Sequence, residues 1–335
     1  MTLQPGSLRG ARVLVTGAGG FIGSHLTEAL AREGCEVVAF LHYRSDGSRG
    51  LLEEAAPEVQ RQIEYVAGDI RDAERVRDAC QGCQVVFHLA ALIGIPYSYQ
   101  SPRSYVATNV TGTVNVLEAV RAQGVGRLVH TSTSECYGTA RTVPMTEEHP
   151  LRAQSPYAAS KIAGDMFANS YASSFDVPVV TLRPFNTYGP RQSARAIVPT
   201  IISQALAGDS VRLGNTSAVR DLLFVDDTVA AFMAAAVASD VCGQTIHVGS
   251  GEGLAIAELA RRILERCGLS ECEVVADSSR LRPATSEVDQ LLCDPSLARQ
   301  LLQWTPTVDL ATGLDRTIAY ITEHMSDYRP NEYAR

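Results

Sequence analysis

No apolar run in the 335-residue sequence is long enough to cross a bilayer, and its start, MTLQPGSLRGARVLVTG, lacks the charged n-region and leucine-rich stretch of a secretory leader. A soluble cytoplasmic protein without a membrane partner is therefore expected. Basic charge is also in deficit: 29 Lys and Arg face 37 Asp and Glu, a net charge of −8. That balance argues against a nucleic-acid partner, which needs clustered Lys and Arg to displace counterions, though a local basic pocket for phosphate stays open. Metal-ligand spacing is missing too. Cys80 and Cys83 form a single CQGC with no second ligand pair behind it, so no metal is expected. The eight cysteines, Cys35, Cys242 and Cys267 among them, are scattered through apolar segments and read as buried thiols of a reducing compartment. The chain has no internal repeat and no low-complexity segment, and its polar tail HMSDYRPNEYAR is expected to fray.

What is present is a large apolar fraction, 45%, arranged in alternating strand-length and helix-length segments. ARVLVTG precedes a helix over 21–33, then EVVAFL, a helix near 50–62, IEYVAGD, a helix near 73–81 and QVVFHLAA. A long helix over 105–123, the strand RLVHTST, a helix from 156 to about 174 and the strand VPVVTLRP follow. Apolar strands in β, α, β order imply a doubly wound parallel sheet of the Rossmann type, α/β in class. Beyond Pro184 the rhythm breaks at PFNTYGPRQSARA and becomes irregular, with a helix over 197–207. The helix 227–237 and the strand QTIHVGS are expected to return to the first sheet. The reading is a dinucleotide-binding unit, 1–185 and 222–250, interleaved with a smaller C-terminal α/β substrate unit, 186–221 and 251–330.

VLVTGAGGFIGSHL joins the first strand to the first helix through Gly17, Gly20 and Gly23. Glycines there permit a tight turn and let backbone approach a pyrophosphate at the helix N-terminus, beside Phe21 and Ile22. An acidic residue that would bond the ribose is lacking at the end of the second strand, where His42, Tyr43 and Arg44 stand instead. Arg44 and His42 either hold a 2′-phosphate or face solvent, so NAD and NADP both remain open. Asp69 and Ile70, with Ala90, end the next two strands and are candidates for the adenine and ribose side. Further along, Tyr157 and Lys161 in YAASK lie four apart, on one face of a helix. A nearby ammonium lowers a phenol's pKa and makes it a usable base. Thr133, in HTSTSECYG, is placed to converge with them at the C-terminal edge of the sheet.

The ordered set GxxGxxG, HLAA, TSTSECYG, YAASK, RPFNTYGPRQ and RDLLFVDD resembles the extended short-chain dehydrogenase/reductase family over nearly the whole chain. The resemblance implies a Rossmann domain, a C-terminal domain for a nucleotide-diphosphate sugar, a tightly bound NAD or NADP regenerated each turnover, and a homodimer built through a four-helix bundle of segments 105–123 and 156–174. Thr133, Ser134 and Glu135 resemble the 4,6-dehydratases, specifically the subgroup like GDP-mannose 4,6-dehydratase and the legionaminic acid pathway enzymes acting on UDP- or GDP-linked N-acetylglucosamine. By that likeness Tyr157 is the base at the sugar 4-hydroxyl, Lys161 orients the nicotinamide ribose, and Thr133 bonds the 4-oxygen. Glu135 removes the C5 proton and assists departure of the 6-hydroxyl, giving a 4-keto-6-deoxy sugar. Ser134, Asn186, Arg191, Arg220 and Arg282 surround the substrate, with guanidinium forks suited to phosphate; for Arg191 and Arg195 a surface salt bridge competes with that role. The same resemblance leaves a UDP-glucuronate decarboxylase or a 4-epimerase as alternatives, and a catalytically silent dinucleotide sensor as the non-enzymatic one.

Overall fold

The structure, a computed structural model, describes residues 6–330. Its main sheet is wholly parallel. The strands are β1 (Arg12–Thr16), β2 (Glu36–His42), β3 (Ile63–Gly68), β4 (Val85–His88), β5 (Arg127–Thr131), β6 (Val179–Pro184) and, after the chain has left and returned, β10 (Thr245–Val248). Their spatial order is β10-β6-β5-β4-β1-β2-β3. The winding direction reverses between β1 and β4, which opens a crevice at the carboxyl ends of the strands. Val, Leu and Ile dominate because helices cover both faces: β4 and β6 are buried along their whole length. The helices Phe21–Glu33 and Val225–Val237 pack together on one face, while Gly112–Gln123 and Pro156–Phe175 cover the other.

A second layer holds β7 (Asn186–Tyr188), β9 (Val219–Phe224), β11 (Gly253–Ala255) and β13 (Gln290–Leu291), with β8 (Ser210–Leu213) paired to β12 (Glu273–Ala276) beside it. The boundary expected at residue 222 thus falls inside β9. A second return was not anticipated from sequence: the helix Ser296–Leu302 and Trp304 pack on the main core, with the Trp304 indole donating to the Asp227 carbonyl at 3.0 Å.

Local departures from the sequence reading have identifiable causes. Residues 50–62 do not make one helix; a 3₁₀ turn, Gly50–Glu54, is followed by a new start at Pro57, which lacks the N–H an internal helical position needs. The segment 105–123 is helical, but Val106–Thr111 widens into a π-helical turn before Gly112–Gln123. Cys35 is buried, whereas Cys242 is exposed and Cys267 half-buried. Residues 331–335 lie outside the described residues, but the tail before them is anchored: Tyr328 is buried in the second core and its hydroxyl donates to the Gln192 carbonyl at 3.1 Å.

Beneath the crevice lies a buried polar cluster that ties the helix Pro156–Phe175 to the sheet. Asp165 on that helix accepts from Arg183 of β6 at 2.7 Å, from Ser132 at 2.5 Å and pairs with His130 of β5 at 3.1 Å. Arg183 also reaches the Tyr137 hydroxyl, which bonds His247 of β10 at 2.5 Å. Burial alone would raise the Asp165 carboxyl, but His130, Arg183 and Lys161 outweigh it and hold it down at about 2. Burial keeps His88, His130 and His247 below their ordinary values. Asp165 therefore contributes stability that is present above the ordinary aspartate pKa of about 4 and is lost as pH falls through about 2. Arg183→Met should cost about 3–5 kcal/mol in urea unfolding by leaving that carboxylate unpaired, and adding Asp165→Asn should recover part of the loss.

Candidate active site

The glycine turn after β1 is packed as a cradle. Gly17 has φ +73°, and a Cβ there would lie 2.8 Å from the Ala90 nitrogen at the end of β4. A Cβ on Gly23 would meet the Gly17 carbonyl at 2.1 Å, so helix and turn touch as closely as backbone allows. Gly20 caps the helix Phe21–Glu33 without a side chain, which leaves the first-turn N–H groups of Phe21, Ile22 and Gly23 for an outside acceptor. These features fit the pyrophosphate of a dinucleotide.

The candidate ribose and 2′-phosphate ligands are engaged locally. Arg44 is exposed and pairs with Asp46 at 2.8 Å. Asp69 pairs with Arg71 at 2.5 Å, and that guanidinium holds its carboxyl at about 2. Ile70 is buried against Gly112 just past the carboxyl end of β3.

At the ends of β4 and β5 the reacting residues meet. Thr133 caps the 3₁₀ turn Ser134–Tyr137, its hydroxyl accepting from the Glu135 N–H at 3.3 Å, and it stands near enough to the Tyr157 phenol to pull it down. Tyr157 and Lys161 lie on one face of the helix Pro156–Phe175, both buried, and Lys161 Nζ donates to the Thr131 carbonyl at 2.6 Å. The expected lowering of the phenol is outweighed in the protein itself. Burial pushes the Tyr157 phenol up, Thr133 offsets part of this, and Cys136, Glu135 and Asp165 add to the rise. Burial pushes Lys161 down from its ordinary value, with Asp165 pushing back. Asn109, in the π-helical turn, braces the arrangement: it bonds both backbone groups of Leu92 and the Ser160 hydroxyl, between Tyr157 and Lys161. Sequence reasoning missed Asn109. It also overlooked that Lys161 is the only lysine in the chain, every other basic side chain being arginine.

Beside these residues opens a cavity of about 320 Å³ between the two layers. Glu135, Asn186, Arg220 and Arg282 line it together, although they are spread over 147 residues of sequence. Arg195, Arg212, Arg280 and Arg329 line it as well, against Glu135 and Glu287 as its acids, so the wall is strongly positive in an acidic protein. Arg282 lies 3.4 Å from Glu135, and Arg220 is buried with its guanidinium on the Val219 and Val288 carbonyls. Burial lowers Arg220 from its ordinary value while Glu135 pushes it back up. The side-chain oxygen of Asn186 is buried without a partner in the protein, and so is that of Gln192, another lining residue the sequence reading did not select. Thr133, Tyr157 and Lys161 are not themselves in the lining, and two of the five residues expected at the substrate stand apart. Ser134 is buried outside the lining. Arg191 points at the helix Phe21–Glu33, where Glu28 and, at 3.1 Å, Glu54 neutralise it; of the two readings left open for it, the salt bridge describes its position. Among the described residues no cluster of His, Cys, Asp and Glu has the form of a metal site, and no helix is long and apolar enough to cross a membrane.

Comparison with known proteins agrees with this geometry. Residues 14–317 match the family described as GDP-mannose 4,6 dehydratase. The UDP-glucose 4-epimerase of Mycolicibacterium smegmatis is 36% identical over 92% of this chain and 98% of its own. The dTDP-glucose 4,6-dehydratase of Streptomyces griseus is 34% identical over 95% of this chain and 96% of its own. Among solved structures, the dTDP-glucose 4,6-dehydratase of Streptomyces venezuelae, crystallised with NAD bound, superposes with a TM-score of 0.85 at 30% identity, covering 96% of this chain and 100% of that one. The relatives divide between elimination and epimerisation, yet both groups match the chain over nearly its full length, and on that match the chain belongs to the GDP-mannose 4,6 dehydratase family, among the extended short-chain nucleotide-sugar dehydratases and epimerases.

Proposed function

We propose that the chain is a nucleotide-sugar 4,6-dehydratase acting on a nucleotide-linked N-acetylglucosamine. The observation that carries this reading is Glu135: a carboxylate lining the cavity and close enough to Tyr157 to influence its phenol. Oxidation and re-reduction at C4 alone need no such acid, whereas elimination across C5 and C6 does.

The glycine turn and the helix N-terminus at Phe21 would hold the dinucleotide pyrophosphate, with Lys161 near the nicotinamide ribose. The Arg44–Asp46 pair leaves little net charge for a 2′-phosphate, which favours NAD over NADP. When bound, the cofactor supplies a reversible two-electron oxidation of the sugar. Thr133 and Tyr157 hold the 4-oxygen, and Tyr157 takes its proton as the 4-ketone forms. The ketone acidifies C5–H. Glu135 removes that proton, the C–H electron pair forms the C5–C6 double bond as the C6–O bond breaks, and the 6-hydroxyl leaves as water with the proton Glu135 now carries. Return to C6 of the hydride withdrawn from C4, and to C5 of a proton replacing the one Tyr157 took from the 4-hydroxyl, yields the 4-keto-6-deoxy product. Arg220, Arg282 and Asn186 hold the diphosphate and sugar. In this division of labour residues 1–185 and 222–250, now joined by 296–304, carry the cofactor, and 186–221 with the rest of 251–330 carry the substrate.

A 4-epimerase is the second reading, favoured by the Arg282–Glu135 pair, which gives the carboxylate a structural partner. Incubation with UDP- and GDP-N-acetylglucosamine separates the two: a 4-keto product absorbing in alkali supports the dehydratase, and a C4 epimer without it overturns that reading. Glu135→Gln should lower dehydration about 10²–10⁴-fold while reduced cofactor accumulates, because oxidation at C4 is spared. Tyr157→Phe should block both, with no reduced cofactor formed.

The homodimer we propose would use the exposed apolar side chains of the two helical segments, Val106, Met166 and Phe167. Met166→Arg should shift the mass measured by light scattering from two chains to one.

A further inference from the structure

Gln154 lies outside every motif, yet it is the point where three functional segments are joined. Its side-chain oxygen accepts from the Thr139 N–H at 2.6 Å, just past the turn that carries Glu135. A Cβ on Gly138, at φ +62°, would lie 2.1 Å from that oxygen, so the contact needs glycine at this position. The side-chain nitrogen of Gln154 donates to the Thr285 carbonyl at 3.2 Å and the Glu287 carbonyl at 2.9 Å, and its backbone carbonyl accepts from the Ser286 hydroxyl. Ser155, the next residue, caps the helix that presents Tyr157 and Lys161, accepting from Ala158 N–H at 3.1 Å.

Residues 285–287 end a strap, 277–289, that has little regular structure of its own beyond two 3₁₀ turns and carries Arg280 and Arg282 to the cavity. Such a segment takes its position from side-chain anchors rather than from a sheet ladder. Tyr99, bonded to Ser286 at 2.5 Å, and Thr139, whose hydroxyl bonds Glu287 and Asp289, are secondary ties.

We propose that Gln154 is a positioning residue that fixes the arginine-bearing strap over the cavity and thereby sets affinity for the substrate's diphosphate. This rests on the nucleotide-sugar reading above. The amide does what an isosteric acid cannot, since it accepts from Thr139 and donates to the strap at once.

The test uses the cofactor-loaded protein titrated calorimetrically with UDP, GDP and dTDP, whichever binds tightest serving as probe. Gln154→Glu keeps the acceptor and loses both donors; Gln154→Met loses both functions without adding charge. Each should weaken the nucleotide about tenfold. KM for the nucleotide sugar should rise by more than kcat falls, and hydrogen exchange should quicken in peptides from 278–289 but not in those from 156–175. Arg220→Ala is the companion titration. If it leaves nucleotide binding unchanged, the nucleotide-sugar reading falls. If it weakens binding while both Gln154 variants bind as the parent does, or exchange in the strap is unaltered, the role of Gln154 is overturned and the reading beneath it stands.

Discussion

The contact on which the site depends is the buried pair Asp165–Arg183. A carboxylate and a guanidinium removed from water are costly, and this pair is tolerated because each is also bonded to Ser132, with His130 and Tyr137 taking further positions. Its effect is geometric. Asp165 stands one helical turn beyond Lys161 and Arg183 belongs to β6, so the pair sets the rotation of the helix Pro156–Phe175 against the strand ends. With that rotation set, Tyr157 meets Thr133 and Lys161 meets the Thr131 carbonyl. Replacing the cluster with apolar groups would preserve burial but remove the directional restraint, which is the one thing hydrophobic packing supplies poorly.

The second constraint is electrostatic reversal. A net negative charge repels a diphosphate, and the cavity reverses the sign by drawing arginines from widely separated segments: Arg195 after β7, Arg212 on β8, Arg220 on β9, Arg280 and Arg282 on the strap, Arg329 near the tail. The tail is held by Tyr328, whose burial overrides the polarity of its neighbours. Close packing between layers brings these charges to one wall, so the potential of the site belongs to the tertiary structure and to no single motif.

This division explains what was legible in the sequence. The helix Phe21–Glu33, the alternation of parallel strands with helices and the glycine turn follow from local pattern and short-range sterics, and they could be read directly, whereas the order of the strands came from the structure. That Thr133, Tyr157 and Lys161 would come near one another was expected because one loop separates the turn from the helix, while Glu135 was singled out by the family resemblance. For Arg191 the two readings stayed open because the partners that pair with it, Glu28 and Glu54, are distant in sequence. Arg212, Arg280, Arg329 and Gln154 acquire meaning only from long-range contacts. Lys161 offered a signal of another kind: in a chain whose remaining basic side chains are all arginine, the one position holding a compact ammonium is one where a planar fork would not serve.

The Arg282–Glu135 pair, which taken alone supports a structural role for the acid, fits the elimination chemistry better when its strength is considered. At 3.4 Å it is longer than the ~2.7–2.9 Å of a tight charge-assisted bond, and both side chains are partly open to solvent, so the pair is weak. On the dehydratase reading, a diphosphate offers Arg282 more acceptor oxygens than one carboxylate can, and it takes the guanidinium when the substrate enters. Glu135 is then left against the sugar ring, beside Tyr157, with its earlier partner engaged elsewhere. On that reading the strap that would hold the phosphate is the same segment that restrains the acid, and binding at one end of the substrate would prepare the group that acts at the other.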